Sequence, residues 1–137
     1  MSPRVTDRDY QRLLTFRSGL RRFLAWSAEM AESAGITPAQ HQLLLTIRGH
    51  DDRRGPTIGD VASYLLLKHH SAVELADRAE KAGLVRRRRD ADDHRIVRLE
   101  LTQKGAARLE HLAALALEEL RRLVPEISQL WEDIPAR

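Results

Sequence analysis

The sequence contains no cysteine among its 137 residues. Disulfide bonds, zinc sites with thiolate ligands, cysteine nucleophiles and thiol redox sensors are therefore excluded. No apolar run approaches the roughly 18 residues that a membrane-spanning helix requires, and the N-terminal segment MSPRVTDRDY lacks the features of a signal peptide. We therefore expect a cytoplasmic protein with no membrane partner.

The sequence also lacks the motifs that usually accompany catalysis or metal binding. It has no glycine-rich phosphate loop and no nucleophile elbow. None of its six histidines stands at the His-x-x-x-His or Glu-x-x-His spacing that places two ligands on one face of a helix. We therefore expect no enzyme activity, no cofactor and no metal ion.

The composition fits one soluble domain over residues 1–137, with 42% hydrophobic and 31% charged residues. The net charge of +3 is compatible with nucleic-acid binding, but a charge of this size does not argue for it alone. Whether the protein binds nucleic acid therefore has to be judged from the positions of its charged residues.

Apolar residues at spacings of three and four predict a long helix at each end of the chain. The first helix covers Asp7 to Ala34 and stops before Gly35, and the last begins after Thr102. Pro125 is expected to interrupt or kink the last helix, so that ISQLWEDI forms a separate short helix.

Shorter helices are predicted between these two. TPAQ from Thr37 and TIGD from Thr57 each have a threonine and, three residues later, the polar partner that completes a capping box. The helix after Thr37 is expected to end near His50, and a fourth helix runs through HHSAVELADRAEKAG to Gly83. Its predicted inward-facing residues are Val73, Ala76 and Ala79, with Leu75 beside them.

The period then changes to that of β-strands. LVRRRRD and RIVRLEL are two short strand-like segments, and the polar connection DADDH between them suits a hairpin. Side chains alternate along a strand, so only Arg86 with Arg88, or Arg87 with Arg89, can face one partner.

Two short helices followed by a hairpin form a winged helix-turn-helix. We therefore predict a mostly α-helical protein with a small β-hairpin wing. Its winged helix-turn-helix lobe, residues 37–101, lies between long dimerisation helices at residues 7–34 and 102–137. The terminal helices carry apolar stripes that one small lobe cannot bury, and a twofold-symmetric dimer would bury them. The alternative is that they fold back on their own lobe.

The second helix of a helix-turn-helix lies in the major groove, with its N-terminal side chains nearest the bases. The residues of this helix predicted to bind DNA are Lys68, His69, His70, Ser71 and Arg78. Glu74, Asp77 and Glu80 are acidic, so the helix would dock by its first turn. If the helix started at Ser71, the spacing of Ser71 and Glu74 would be that of a capping box, which is the local alternative for both residues.

The arginines of the hairpin can lie over phosphates, and one of them can enter the minor groove, where negative potential is deepest. The hairpin residues predicted to take part are Arg86, Arg88, Arg89, Asp93 and Arg95. Asp93, two residues before Arg95, can hold that guanidinium in a charge-assisted pair and aim it. The alternative is that these charges only solvate an exposed hairpin.

The hairpin and the segment before it resemble the MarR-type transcriptional regulators. Arg89, Asp93 and Arg95, followed by LELTQKG, are similar to the wing signature of that family, an Asp-x-Arg followed by Leu-Thr-x-x-Gly. TIGDVASYLLLKHHSAVELADRAEKAGLV resembles its helix-turn-helix. The resemblance implies a homodimer that binds a pseudo-palindromic operator through two winged lobes. It places Arg95 at the wing tip and His69 to Ser71 at the major groove.

Two positions depart from the family pattern. Leu66 stands where many members carry a turn glycine, so we expect the turn to be made differently. Glu74 stands where an arginine or a polar contact is frequent, and we do not include it among the base-reading positions.

Members of this family often release DNA when a small molecule, commonly a phenolic or other anionic aromatic compound, enters the crevice between the dimer helices and the DNA-binding lobe. By this resemblance, Trp26, His41 and Arg48 are candidates for an effector site. The alternative for Trp26 is packing in the dimer core.

We therefore expect a sequence-specific double-stranded DNA-binding transcriptional regulator, a repressor that occludes a promoter. The alternative function is a winged-helix module that binds a protein rather than DNA. The acidic residues Glu74, Asp77 and Glu80 are its best support.

Overall fold

The computed structural model describes residues 4–132 as five helices and a two-stranded hairpin. In chain order the elements are α1 (Asp7–Ser33), α2 (Pro38–Gly49), α3 (Ile58–Leu65), α4 (His69–Lys81), β1 (Val85–Arg89), β2 (Val97–Leu101) and α5 (Gln103–Gln129). The predicted fold class, a mostly helical winged helix-turn-helix with long terminal helices, is confirmed.

Threonine side chains start four of these helices. Thr6, Thr37 and Thr57 each accept a hydrogen bond from the N–H three residues later, and the side chain at that later position accepts from the N–H of the threonine. Thr102 accepts in the same way but without the reciprocal bond. These bonds satisfy backbone donors that a helix end leaves unpaired. The capping boxes predicted at Thr37 and Thr57 are confirmed.

The core lies where α2, α3, α4, the hairpin and the first turns of α5 meet. Its largest fully buried side chains include Leu43, Leu44, Val61, Leu84, Val85, Leu99 and Leu112. The contribution of α4 is small in volume, since its fully buried residues are Ala72, Ala76 and Ala79. Small side chains let α4 approach its neighbours closely. The prediction for Val73 is wrong, because Val73 is only half-buried and Ala72 takes the inward position.

The hairpin is antiparallel, with Val85 opposite Leu101 and Arg89 opposite Val97. The loop before α3 pairs with the other edge of β2, as a short third strand would. There Leu99 donates its N–H to the carbonyl oxygen of Pro56 at 2.8 Å, and Thr57 pairs with Arg98. This loop therefore covers an edge of β2 that a two-stranded ribbon would leave unpaired.

The turn between α3 and α4 is made by Leu66 in the left-handed conformation, with φ of 56° and ψ of 43°. The prediction that the turn would be made differently from a glycine turn is therefore wrong. Leu65 and Leu67 on either side pack against the core, while Leu66 is 92% exposed. Burial of these two neighbours outweighs the cost of a left-handed leucine, which is about 1–2 kcal/mol.

Helix α5 runs without a break through Pro125 to Gln129, so the predicted separate helix at ISQLWEDI is wrong for the part that the structure describes. Asp133 and Ile134 of that segment lie outside the described residues. Proline removes one helical N–H, and the carbonyl oxygen left without it, that of Arg121, belongs to an exposed residue that water can reach.

The terminal helices meet each other only in part. Phe16 of α1 lies edge-on against Trp131, with 5.7 Å between the ring centroids. Many apolar side chains of both helices nevertheless stay largely exposed, namely Tyr10, Leu13, Leu14, Leu20 and Leu24 on α1, and Leu117 and Val124 on α5. Folding of these helices on their own lobe therefore does not cover their apolar surface.

Candidate nucleic-acid interface

Helix α4, the second helix of the helix-turn-helix, begins at His69 with Lys68 at the N-cap position. Lys68, His69 and His70 are exposed, and Ser71 is half-buried inside the first turn. The alternative in which Ser71 caps the helix is therefore wrong, because α4 starts two residues earlier. Lys68 makes no side-chain cap. The first turn thus presents hydrogen-bond donors outward.

Two of the three acidic side chains of α4 bind an arginine of the wing. Arg87 donates from Nη2 to Asp77 at 2.6 Å and from Nη1 to Glu80 at 2.9 Å. Its backbone N–H also donates to Glu80 at 3.3 Å. These contacts hold β1 against α4 and neutralise two of the three acidic side chains of α4. Glu74 stays exposed.

Arg86 and Arg88 lie on the opposite face of β1 from Arg87, as strand alternation predicts. Arg86 and Arg88 both bind Glu100 of β2, with N–O distances of 3.1 and 3.2 Å. Arg88 also donates to the carbonyl oxygen of Arg54 at 2.6 Å. Arg89 donates to the carbonyl oxygen of His94 at 2.8 Å, across the turn of the hairpin. Arg86 and Arg88 therefore share one face, and Arg87 is committed to the other.

Arg95 stands in the turn of the hairpin and is held by Asp93, as predicted. Its Nε and Nη2 atoms donate to the two carboxylate oxygens of Asp93, each at 3.0 Å. The side chain of Arg95 is 91% exposed. The hydrogen bond from Arg95 is the main reason that the pKa of Asp93 lies below its ordinary value. Asp93 is thus ionised at neutral pH and aims an exposed guanidinium.

A buried ion pair that was not predicted from the sequence lies beneath this turn. Arg98 of β2 donates from Nε to Asp90 at 2.7 Å, and the two side chains are 7% and 3% exposed. The hydrogen bond from Arg98, followed by bonds from two backbone N–H groups, lowers the pKa of Asp90. The signal in the sequence was a lone arginine among the alternating apolar residues of RIVRLEL.

One of the three candidate effector residues, Arg48, lines a cavity of the lobe. This cavity of about 520 Å³ lies between the end of α2, the loop before α3 and the base of the wing. Among the described residues, Arg48 lines it and Trp26 and His41 do not. Trp26 packs on Phe23 of its own helix at 5.9 Å, and His41 is half-buried, with its pKa lowered by desolvation.

The cavity is rich in arginine. Its charged lining side chains are Arg48, Arg53, Arg54 and Arg88 with Asp52 and Glu100. His50, which is half-buried overall, lines it as well, and its Nδ1 atom is buried without a hydrogen-bond partner. The excess of positive charge favours an anionic occupant.

Within residues 4–132 the structure contains no group of three side chains suited to hold a metal ion. Over the same range no helix has the length and apolar character needed to cross a membrane.

Comparison with known proteins supports the fold and finds similarity to one family. A sequence model described as the MarR family matches residues 34–96, from the end of α1 to the turn of the wing. Over these residues, somewhat less than half of its length, the chain is similar to the MarR family. The matched range contains the start of α4, the arginines of β1, and both Asp93 and Arg95.

A MarR-family repressor from Bacillus subtilis strain 168, the HTH-type transcriptional repressor MdtR, is 29% identical over 86 residues. The match covers 63% of this chain but only 54% of MdtR, so the chain spans about half the length of this relative.

Solved MarR-family structures agree with the fold over most of the chain. A point mutant of S. aureus MepR bound to an oligodeoxyribonucleotide is 25% identical, with a TM-score of 0.66 over 82% of this chain and 80% of that one. Wild-type MarR from E. coli in the apo form is 23% identical, with a TM-score of 0.67 over 89% and 84% of the two chains.

Proposed function

We propose that the protein is a homodimeric transcriptional regulator that binds double-stranded DNA and represses by occupying a pseudo-palindromic operator. The observation that carries this proposal is the exposed Arg95, held by both oxygens of Asp93 in the turn next to a helix-turn-helix. A guanidinium aimed in this way suits the minor groove, where negative potential is deep.

In this proposal α4 reads the major groove by its first turn. Lys68, His69, His70 and Ser71 supply hydrogen-bond donors there, and Arg78 adds a positive charge on an exposed position further along. The binding of Asp77 and Glu80 by Arg87 supports this orientation, because it removes most of the repulsion between α4 and phosphates.

The wing would contact the DNA backbone and the minor groove. Arg86, Arg88 and Arg89 would neutralise phosphates, while Asp93 aims Arg95. Contacts of this kind release counterions, so the logarithm of the binding constant should fall by several units per unit of log salt concentration.

The uncovered apolar surface of α1 and α5 supports the dimer. Burying it against a second copy removes it from water, and a twofold axis matches two half-sites about one helical turn apart. The exposure of Leu13 and Leu24 at 47% and 54% is difficult to reconcile with a monomer in which both helices face solvent.

A gel shift on the DNA that flanks its own gene tests the proposal and locates the operator. We expect a shifted complex that resists competition by unrelated duplex. Arg95→Ala should weaken it by about 1–3 kcal/mol, the scale of one good groove contact. Equal competition by every duplex, or a complex indifferent to Arg95→Ala, would argue against sequence-specific binding through the wing.

We also propose that a small aromatic or anionic effector regulates DNA binding. The arginine-rich cavity that includes Arg48 supports an anionic ligand, and Trp26 and His41 are the other candidate contacts. Titration of aromatic carboxylates into the DNA complex should release DNA from the wild type at lower ligand concentration than from Arg48→Ala. Equal sensitivity of the two proteins would remove Arg48 from the site.

The alternative of a protein-binding module loses most of its support. Of the acidic residues that favoured it, Asp77 and Glu80 are occupied by Arg87, and only Glu74 is left as a free-standing acid on that face. A protein that stays monomeric and prefers no duplex in the gel shift would bring this alternative back.

A further inference from the structure

A buried ion pair connects the body of the lobe to the turn of the wing. We propose that Arg98 and Asp90 are positioning residues that set the orientation of Arg95 and thereby the strength of DNA binding by the wing. This inference rests on the DNA-binding function proposed above. Neither residue would touch DNA, since both are buried.

Arg98 anchors the ion pair in the body of the lobe. Its Nη1 donates to the carbonyl oxygen of Gly55 at 2.8 Å and lies 3.8 Å from the carboxylate of Asp52, both in the loop before α3. Its Nε donates to Asp90. A guanidinium is planar and rigid, so a group held at one edge by the loop fixes the direction of the bond at the other.

Asp90 passes this constraint to the turn. Its Oδ1 atom accepts from Arg98, and its Oδ2 atom accepts from the backbone N–H groups of Asp92 at 3.1 Å and Asp93 at 3.0 Å. The carboxylate is planar, so its contact with Arg98 determines where the second oxygen lies. The conformation of the turn therefore depends on the position of the Arg98 guanidinium.

Asp93 completes the connection. Its backbone N–H donates to Asp90, and its carboxylate accepts from Nε and Nη2 of Arg95. Arg95 is 91% exposed, so packing does not orient it. An unheld arginine of this kind spreads over many rotamers, with a side-chain entropy of about 2 kcal/mol. Its orientation thus depends on Asp93, and through Asp90 on Arg98.

A double-mutant cycle separates positioning from general support of the fold. Affinity is measured by fluorescence anisotropy for a duplex selected by the wild type from a random library. The variants are Arg98→Met, which keeps an unbranched stem and removes the guanidinium, Arg95→Ala, and the two combined. If Arg98 acts through Arg95, then Arg98→Met weakens binding about tenfold alone and has no further effect in the Arg95→Ala background.

The same loss in both backgrounds would overturn the proposal, because Arg98 would then act on binding by another route. Arg86→Met combined with Arg95→Ala is the matched control, and these two effects should add, since Arg86 binds Glu100 and not the turn. Asp90→Asn serves as the second variant in case Arg98→Met does not fold, as judged by its helical circular dichroism. It keeps an oxygen for the turn and removes the charge that holds Arg98, and its effect must likewise vanish in the Arg95→Ala background.

Hydrogen exchange tests the same connection without DNA. In Arg98→Met the N–H groups of Asp92 and Asp93 should exchange about tenfold faster than in the wild type. Unchanged exchange at the turn would contradict the proposal. If the wild type selects no duplex, the proposed function fails, and the exchange rates alone then decide whether Arg98 orders the turn.

Discussion

Arg87 in the wing binds Asp77 in α4, with 2.6 Å between Nη2 and the carboxylate oxygen, and this contact joins the two parts of the lobe proposed to meet DNA. The arginine is 28% exposed and the aspartate 49%, so water screens the pair. Its main effect is therefore one of charge and geometry, since it turns an acidic helix into a surface that phosphates can approach.

We predict that Arg87→Met weakens duplex binding by more than its small effect on stability. The free energy of unfolding should fall by only about 0.5–1 kcal/mol, as for other screened pairs. Binding should fall further because Asp77 and Glu80 regain their charge. Neutralising both acids, by Asp77→Asn and Glu80→Gln, in the Arg87→Met background should restore most of the affinity measured by anisotropy. Failure of that rescue would mean that the ion pairs act through the fold alone.

We predict that Gly105→Ala destabilises the protein by about 2–4 kcal/mol, the range of severe overpacking. A Cβ at this position would lie 2.0 Å from the carbonyl oxygen of Leu84, which is backbone and has little room to move. Gly49→Ala is the matched control, because a Cβ there meets nothing within 4 Å. Urea unfolding of the two variants side by side measures the difference, and similar midpoints would contradict the close approach.

We predict that Leu66→Gly raises the free energy of unfolding by about 0.5–1 kcal/mol. Glycine adopts the left-handed conformation without strain, and this gain exceeds the extra entropy of glycine in the unfolded chain. Leu66→Ala should not stabilise, because alanine keeps the strain and the lost side chain is 92% exposed. Equal denaturation midpoints for the glycine and alanine variants would show that the turn is not strained.

We predict that the wing loses stability in acid. The pKa values of Asp90 and Asp93 lie below the ordinary value of 3.8 because of their arginine partners. A carboxyl with a depressed pKa in the folded state stabilises it fully above the unfolded pKa, and this contribution is lost as the pH falls through the folded pKa. Unfolding free energies between about pH 6 and pH 3 should therefore fall less steeply for Asp90→Asn than for the wild type. Parallel curves would exclude Asp90 as a contributor.

We predict that Leu24→Glu abolishes the dimer at micromolar concentration. Leu24 is 54% exposed on α1, and a charge there would be buried in the interface that the terminal helices are proposed to form. Leu45→Glu is matched in exposure, at 55%, but lies on α2 in the lobe and should leave the dimer intact. Sedimentation velocity distinguishes the two, and a dimer that survives Leu24→Glu would place the interface elsewhere.

Local chemistry made most of the fold predictable. The threonines at positions 37 and 57 start their helices where the capping boxes indicated, and the strands fall inside the two predicted segments. The errors arose where packing overrides local preference. Burial of Leu65 and Leu67 forces Leu66 into a left-handed turn, and α5 continues through Pro125 at the cost of one hydrogen bond.

The sequence alone determined the order of the elements, the alternation of the wing arginines and the pairing of Asp93 with Arg95, because each depends on residues within a few positions of one another. Only the tertiary structure decided that Arg87 faces α4 and that Arg98 lies buried against Asp90 and Gly55. Arg98 and Gly55 are 43 positions apart. All arginines of the hairpin carry the same charge and the same functional group. The role of each one therefore depends on the residues that folding places beside it.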